Sequence, residues 1–404
     1  MGTRNEDGSP LYPILIVVAF IAGLLTTSFI LPAAKILIIR QITHSQHGVE
    51  ESDRRRPDMS QKANPDSLYG LDHAVLNMGF APKTMWMSMG YWKDTDGVND
   101  LVTACEALLE RILDSAGIDV QNGKDKEDSR VRKTKSRRVL LDLGFGCGEQ
   151  TIYMMVKNAS KNWFDEYIGI TLDKIQCDYA RKRINQNRKE QLHPKQDGCG
   201  SENENKSNNI HLFCADGARP QTWPQDLNDT ISSKYIGCTD DDDGKEPYDT
   251  DRYVLGLDSF YHFHPSRKEI FKYTYSTLHA HILAFDIFLA PPSHQSSSFP
   301  RNLMNRLFLR ILTPALGAPF SNFITPDGYK AQLEEVGYAA ENISIEDITD
   351  HVFAGLAHYL ETRHQELTAL GLSGFAKWQV AGWLFKWLSK GDILRAGIVV
   401  AKSK

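Results

Sequence analysis

With 404 residues, 41% of them hydrophobic and 24% charged, the chain can bury a sizeable core as one large domain or two ordinary ones, and it is not low-complexity. A formal charge of −5 provides no basic excess for a nucleic-acid surface. The six cysteines (Cys105, Cys147, Cys177, Cys199, Cys214, Cys238) form no CxxC pair, so a zinc knuckle or thioredoxin-like motif is not expected, and they read as free thiols in a reducing compartment.

Residues 1–10 form a short polar tail, expected to be non-cytosolic, and from Leu11 to Ala34 no charged residue occurs. As a helix that run would be about 36 Å long, enough for a hydrocarbon core of about 30 Å. Arg4, Glu6 and Asp7 do not make a basic n-region, and the run exceeds an ordinary signal-peptide core, so a transmembrane anchor is expected over 11–34. Lys35, Arg40 and Arg54–Arg55–Arg56 all follow the span, which puts the rest of the chain in the cytosol. The expectation is a single-pass membrane protein, with the endoplasmic reticulum as default. Glu6 occupies the Ser/Thr place of the myristoylation pattern, which argues against lipid on Gly2.

Residues 35–66 read as a linker, in which ILIIRQI suits the membrane surface and the following 44–65 are polar and proline-bounded, and folded character occupies 67–404. The spacing of Leu101, Cys105, Leu108, Leu109, Ile112 and Leu113 predicts a helix over 100–116, capped by Asn99 or Asp100. After a charged stretch at 119–137 the chain alternates. Strands are predicted at VLLDLGFG, 167–172, 210–215, 253–259 and 281–289, with helices at 149–158, 174–187 and 266–277. Such alternation predicts an α/β fold, a Rossmann-like doubly wound and mostly parallel sheet, with its core at about 137–290. Polar insertions at 193–209 and 237–251 read as loops; the four-Asp run in the second lacks ordered ligand spacing, so no metal site is expected.

The segment VLLDLGFGCGEQT carries the chemistry: an apolar strand ends at Asp142 and passes through Gly144, Gly146 and Gly148 into a helix containing Gln150. Glycines here let the backbone turn tightly and approach a ligand without a Cβ in the way. A dinucleotide fingerprint would need its third glycine at 149, where this chain has Glu149. The turn suits a ligand without a pyrophosphate, and Asp142 beside it can meet a cation.

This segment resembles motif I of the class I S-adenosylmethionine-dependent methyltransferases, and four further stretches match in order. Tyr91 and Trp92 in SMGYWKD resemble a GYW element that packs near the cofactor in natural-product methyltransferases. Thr171, Leu172, Asp173 and Gln176 in GITLDKIQ resemble a second-strand signature lining the ribose site, shared with cyclopropane fatty-acid synthases, which usually have Ser at the Asp173 place. Asp216, Gly217 and Ala218 resemble the third-strand element whose Asp meets the adenine amino group, and LDSFYHF, with Asp258, resembles the fourth-strand element facing the reacting methyl. The similarity covers about residues 75–350, most closely sugar and macrolide O-methyltransferases and more loosely sterol C-methyltransferases. It implies S-adenosylmethionine as cofactor, and His262 and Asp286 as base and its partner or alternative; Tyr261 could orient the acceptor. Independently, ligands of an open parallel sheet bind at the carboxyl ends of its strands, where Asp142, Thr171, Asp216 and Asp258 fall.

A cap insertion is expected at about 292–325, where Leu303, Met304, Leu307, Phe308, Ile311 and Leu312 share a helical face and Arg301, Arg306 and Arg310 fall elsewhere. Near the C-terminus FAKWQVAGWLFKWLSKGD mixes aromatics with lysines, as interfaces do. With the anchor, these features point to a lipophilic small molecule or lipid as acceptor, methylated at oxygen, or alternatively at carbon on a sterol or unsaturated acyl chain. A non-catalytic cofactor-binding scaffold is the rival of another class. Strands near 343–345 and at ILRAGIVVAK should close the sheet as its antiparallel edge. Asn158, Asn205, Asn228 and Asn342 each open an N-x-Ser/Thr sequon. Mass spectrometry of the native chain should find all four bare; glycan on any one overturns the cytosolic orientation.

Overall fold

The computed structural model describes residues 82–93, 100–118, 136–192, 209–236, 250–291, 307–314, 317–370, 376–390 and 393–403. The expected tail, anchor and linker, residues 67–81, nearly all of both polar insertions and most of the cap residues before 307 lie outside them. Among the described residues no helix is long and apolar enough to cross a membrane.

In chain order the elements are α1 (Leu101–Ala116), β1 (Arg137–Leu143), α2 (Glu149–Thr151, continuing as π-helix Ile152–Lys157), β2 (Glu166–Thr171), α3 (Lys174–Leu192), β3 (Ile210–Cys214), α4 (Gln225–Thr230, continuing as π-helix Ile231–Ile236) and β4 (Thr250–Leu257). There follow α5 (Lys268–Ser276), β5 (His281–Leu289), α6 (307–314), α7 (Pro326–Val336), β6 (Ile343–Asp347), α8 (Phe353–Ala369), α9 (Ala376–Leu388) and β7 (Leu394–Ala401). Local chemistry fixes several boundaries. Asp100 rather than Asn99 caps α1, its carboxylate accepting from Val102 N at 3.3 Å, and Gly117 ends the helix in the left-handed region. Thr325 accepts from Gly328 N to start α7, with Pro326 in the first turn, where its missing N–H costs nothing.

The seven strands form one sheet in the order β3-β2-β1-β4-β5-β7-β6. β1 to β5 run parallel, and β7 is antiparallel to both β5 and β6. This is the doubly wound, mostly parallel sheet expected of the methyltransferase resemblance, and β6 and β7 extend it as the expected antiparallel edge pair. Within that pair β7 slots between β5 and β6, with Asp286 opposite Gly397 and Asp347 also opposite Gly397. β1 and β2 are buried on both faces, which is why they read as unbroken apolar runs. One face packs Val139, Leu141, Ile168 and Val254 against Leu227, Ile231, Phe271, Tyr329 and Leu333 of α4, α5 and α7. On the other, α1 lies against β5 and β7 with Leu108, Leu109 and Ile112 sealed from solvent.

Contacts divide the chain into a unit of residues 83–356 with 388–404, which holds the whole sheet, and a second unit whose described residues are Pro82, 357–370 and 376–387. In the second, Gly382 of α9 sits close over Leu360 of α8, and Lys386 approaches Glu361 at 3.8 Å.

The sheet unit contains a buried ion pair: Arg267 Nη1 to Asp286 Oδ2 at 2.8 Å, both side chains at 0% exposure. Tyr329 donates to the same carboxylate at 3.0 Å, and the Arg267 guanidinium lies 4.1 Å from the Tyr329 ring centre. Removing one member of such a pair leaves a bare charge in low dielectric. Arg267→Met should therefore lower unfolding free energy by about 3–5 kcal/mol in chemical denaturation, whereas removing the exposed Lys268–Glu335 pair, at 3.1 Å, should change it by under about 1 kcal/mol.

Candidate active site

The site forms where β1 ends. The chain reverses through Gly144, Gly146 and Gly148, with φ of 103°, 57° and 85°, closed by Gly144 N to Ile170 O and Gly148 N to Phe145 O. At Gly144 a Cβ would sit 2.8 Å from Ser259 Cβ, so that glycine lets the β4 end approach. At Gly146 the nearest atom to such a Cβ is Met87 Cε at 3.5 Å, with Gln176 Oε1 at 4.0 Å. Its constraint is the left-handed backbone, which presents the peptide to open space.

Asp142 is fully buried at this turn. Oδ2 accepts from Tyr167 OH at 2.5 Å, and Thr151 Oγ1 donates to that phenol at 2.7 Å. Oδ1 has no hydrogen-bond partner among the described residues. Burial pushes the carboxyl up to about 7, outweighing the hydrogen bonds that favour its anion.

Across the turn, Asp258 closes β4 with φ of 59°, an unusual backbone for a residue with a Cβ. Its Oδ1 accepts from Tyr261 OH at 2.6 Å and its Oδ2 from Met89 N at 3.0 Å. Burial raises this carboxyl to about 7 as well, with a smaller push from the charge of Asp286. Among the described residues, neither Asp142 nor Asp258 makes an ion pair.

Residues 82–93 run over the turn as an irregular strap. Met85 N donates to Glu149 Oε1 at 2.6 Å; Glu149 is paired with Arg183, whose other nitrogen donates to Lys83 O at 2.8 Å. Strap, glycine turn and β4 end enclose a cleft of about 210 Å³, lined by Met85–Ser88, Gly144–Cys147, Glu149, Gln150, Leu257, Asp258, Tyr261 and His262. Two buried polar atoms of its lining residues, Trp86 Nε1 and Ser88 Oγ, have no hydrogen-bond partner among the described residues.

His262 sits on the cleft, its ring 4.2 Å from that of Tyr261. Nδ1 lies 3.3 Å from Gly317 O, and His264 Nε2 lies 3.4 Å from the same oxygen. A carbonyl only accepts, so this contact puts the proton on Nδ1 of His262 and the lone pair on Nε2. Desolvation, reinforced by His264, holds its pKa below the ordinary value.

Of the sequence-predicted residues, Gly144, Gly146, Gln150, Asp258, Tyr261 and His262 line the cleft. Asp286 does not: it is sealed against Arg267 and Tyr329, so the expected role as base or as His262's partner is corrected, and Gly317 O is the partner instead. Tyr91 and Trp92 also stand off the cleft and anchor the strap. Tyr91 N donates to Ala104 O and its ring meets His351, while Trp92 N donates to His351 O and its indole covers Gly355. Gly148 packs on Ala180 of α3. Asp173 caps α3, its Oδ1 accepting from Ile175 N and Gln176 N, and Asp216 holds its own turn through Ala218 N. Thr171 is buried at the β2 end, Leu172 is 72% exposed, and Gly217 lies beneath Phe263. These positions border the carboxyl ends of β2 and β3 as an open shelf beside the cleft. Met85–Ser88 and the Glu149–Arg183 pair escaped sequence reasoning: the strap has no periodicity, and the pair joins residues far apart in the chain.

No family model matches the chain, and no curated protein matches it. Solved structures do: a cyclopropane synthase from Mycobacterium tuberculosis is 14% identical, covering 78% of this chain and 90% of that one at a TM-score of 0.45. A geranyl diphosphate C-methyltransferase from Streptomyces coelicolor A3(2) is 11% identical, covering 79% and 91% at 0.40. A phosphoethanolamine N-methyltransferase from Haemonchus contortus is 12% identical, covering 67% and 50% at 0.41. At such identities the likeness concerns backbone arrangement and says nothing of chemistry.

The two raised carboxyls have a measurable consequence. A carboxyl whose folded pKa lies above its unfolded value of about 3.8 favours the folded state while protonated, and that contribution is lost as pH rises through about 7. Ligand-free protein should gain on the order of 1 kcal/mol between pH 8 and 6.5 in denaturant titrations; Asp258→Asn should roughly halve the gain.

Proposed function

We propose that the chain is an S-adenosylmethionine-dependent methyltransferase acting on a lipophilic small molecule or lipid. The observation that carries it is the pair of carboxylates, Asp142 and Asp258, raised by burial and without a cation, flanking a glycine turn that lacks the fingerprint for a pyrophosphate. Such a site is electrostatically incomplete until a cation enters. S-adenosylmethionine fits, because its sulfonium and ammonium are both positive and its amino-acid and sugar parts are polar. Asp142 would balance the ammonium side, Asp258 and Tyr261 the side towards the acceptor, and Gly146 would let the ligand lie on the backbone. The shelf formed by Thr171, Leu172, Asp173, Gln176, Asp216, Gly217 and Ala218 would take the nucleoside. Trp86 Nε1 and Ser88 Oγ add unsatisfied donors that a polar ligand would use.

When bound, the cofactor supplies an electrophilic methyl group. The chain's own part is to orient, exclude water and move a proton. The Gly317 carbonyl fixes the His262 tautomer, leaving Nε2 to accept the proton of an acceptor hydroxyl or amine, and the depressed pKa keeps the ring neutral at pH 7. Tyr261 OH is committed to Asp258, so it orients rather than abstracts. A second reading, methylation at carbon, is favoured by the aromatic lining from Trp86, Phe145 and Tyr261. The uncharged run at 11–34 supports a bilayer as the source of the acceptor, with the methyltransferase unit on its cytosolic side.

Calorimetric titration with S-adenosylmethionine tests the reading. Binding should weaken about tenfold per pH unit below 7 for each carboxyl that must ionise. Asp142→Ala should abolish it, and Asp258→Asn should flatten the pH dependence. A folded protein that takes up no S-adenosylmethionine at pH 8 would sink the proposal. With the acceptor in hand, His262→Ala should cut kcat by about 100-fold or more if methylation is at oxygen or nitrogen, and leave it within a few-fold if at carbon.

A further inference from the structure

Helix α6 differs from its sequence pattern in a way that points outward. The apolar face read from the sequence is split: Leu312 is buried, together with Leu309 outside that face, while Leu307 is 49% and Ile311 52% exposed. With Arg310, also exposed, these two occupy one side of the helix at i, i+3 and i+4. A helix apolar on its outer side, with a long basic residue among the apolar ones, has the make-up of an interfacial helix.

Charge identifies the partner. Between Asp286 and Asp327 the sequence holds Arg301, Arg306 and Arg310 and no acidic residue, in a chain whose formal charge is −5. Arg310 beside exposed leucine and isoleucine, in a stretch of sequence that carries three arginines and no acid, complements an anionic lipid surface, which attracts basic residues within a Debye length. The helix is also tied to the site. Its terminal turn, with Gly317 N on Pro314 O and Ala318 N on Thr313 O, carries the Gly317 carbonyl that meets His262. Docking of α6 therefore bears on the segment that orients the cleft histidine.

We propose that the outer face of α6, Leu307, Arg310 and Ile311, is a docking surface for an anionic lipid layer. The interaction stands apart from the methyltransferase reading and would hold for any chemistry in the cleft.

Hydrogen exchange of the full chain, read peptide by peptide, tests it with phosphatidylcholine vesicles that contain or lack phosphatidylserine. Peptides over 307–314 should exchange several-fold more slowly on the phosphatidylserine vesicles and show no change on phosphatidylcholine alone. Leu307→Ser with Ile311→Ser should erase that protection and leave S-adenosylmethionine titration as in the parent, which separates loss of docking from loss of fold or cofactor. Unchanged exchange at 307–314 on the anionic vesicles overturns the proposal, as does equal protection on neutral ones or protection that survives the double substitution.

Discussion

The Arg267–Asp286 ion pair ties the sheet to the loop that bears Tyr261 and His262. Asp286 is a mid-strand residue of β5, and Arg267 stands at the start of α5. From there the guanidinium donates to Asn322 O at 2.6 Å, and the Asn322 amide donates to Tyr261 O at 3.1 Å and Phe263 O at 2.8 Å. The backbone on both sides of His262 is thus held by a side chain whose own position is set by a buried charge pair. In low dielectric each link strengthens the next, and none tolerates a missing partner. Asp286 shapes the loop that bears His262 without itself lining the cleft.

The same sheet carries acids in two electrostatic states. Asp286 and Glu149 have their arginines. Asp142 and Asp258 have phenols and a backbone amide, groups that lower the cost of an anion without cancelling it. Asp142 and Asp258 sit at the carboxyl ends of β1 and β4, Glu149 opens α2 just past the glycine turn, and Asp286 lies within β5. Compensation separates them: a paired acid is finished as a structural element, and an unpaired one at a glycine turn has capacity left for a ligand.

The strand–helix alternation was legible because period and turn chemistry are local, and the predicted strand at 281–289 coincides with β5. The glycine turn, Asp142 and the Asp258-to-His262 stretch were legible for the same reason: neighbours in the chain stay neighbours in the site. What escaped depended on pairings that sequence separation hides. Nothing near Asp286 announces Arg267, and an Asp in an apolar strand reads equally as catalyst or as half of an ion pair. The strap over the cleft has neither period nor punctuation beyond Gly90 and Pro82, so Trp86 and Ser88 gave no signal. Helix α6 shows a further limit, since residues sharing an apolar face in the sequence do not reveal which of them the fold will cover: Leu312 is buried and Leu307 and Ile311 are exposed.

The position of β7 bears on how the protein is made. Six strands precede it in the chain, yet it lies inside the sheet, between β5 and β6. Until it arrives, β5 presents an open edge and β6 has nothing to pair with. During synthesis the first five strands can assemble as they leave the ribosome, but the sheet waits until β7 has been translated. For that interval an apolar strand edge is exposed to other chains, the state in which β-rich intermediates aggregate and chaperones are recruited.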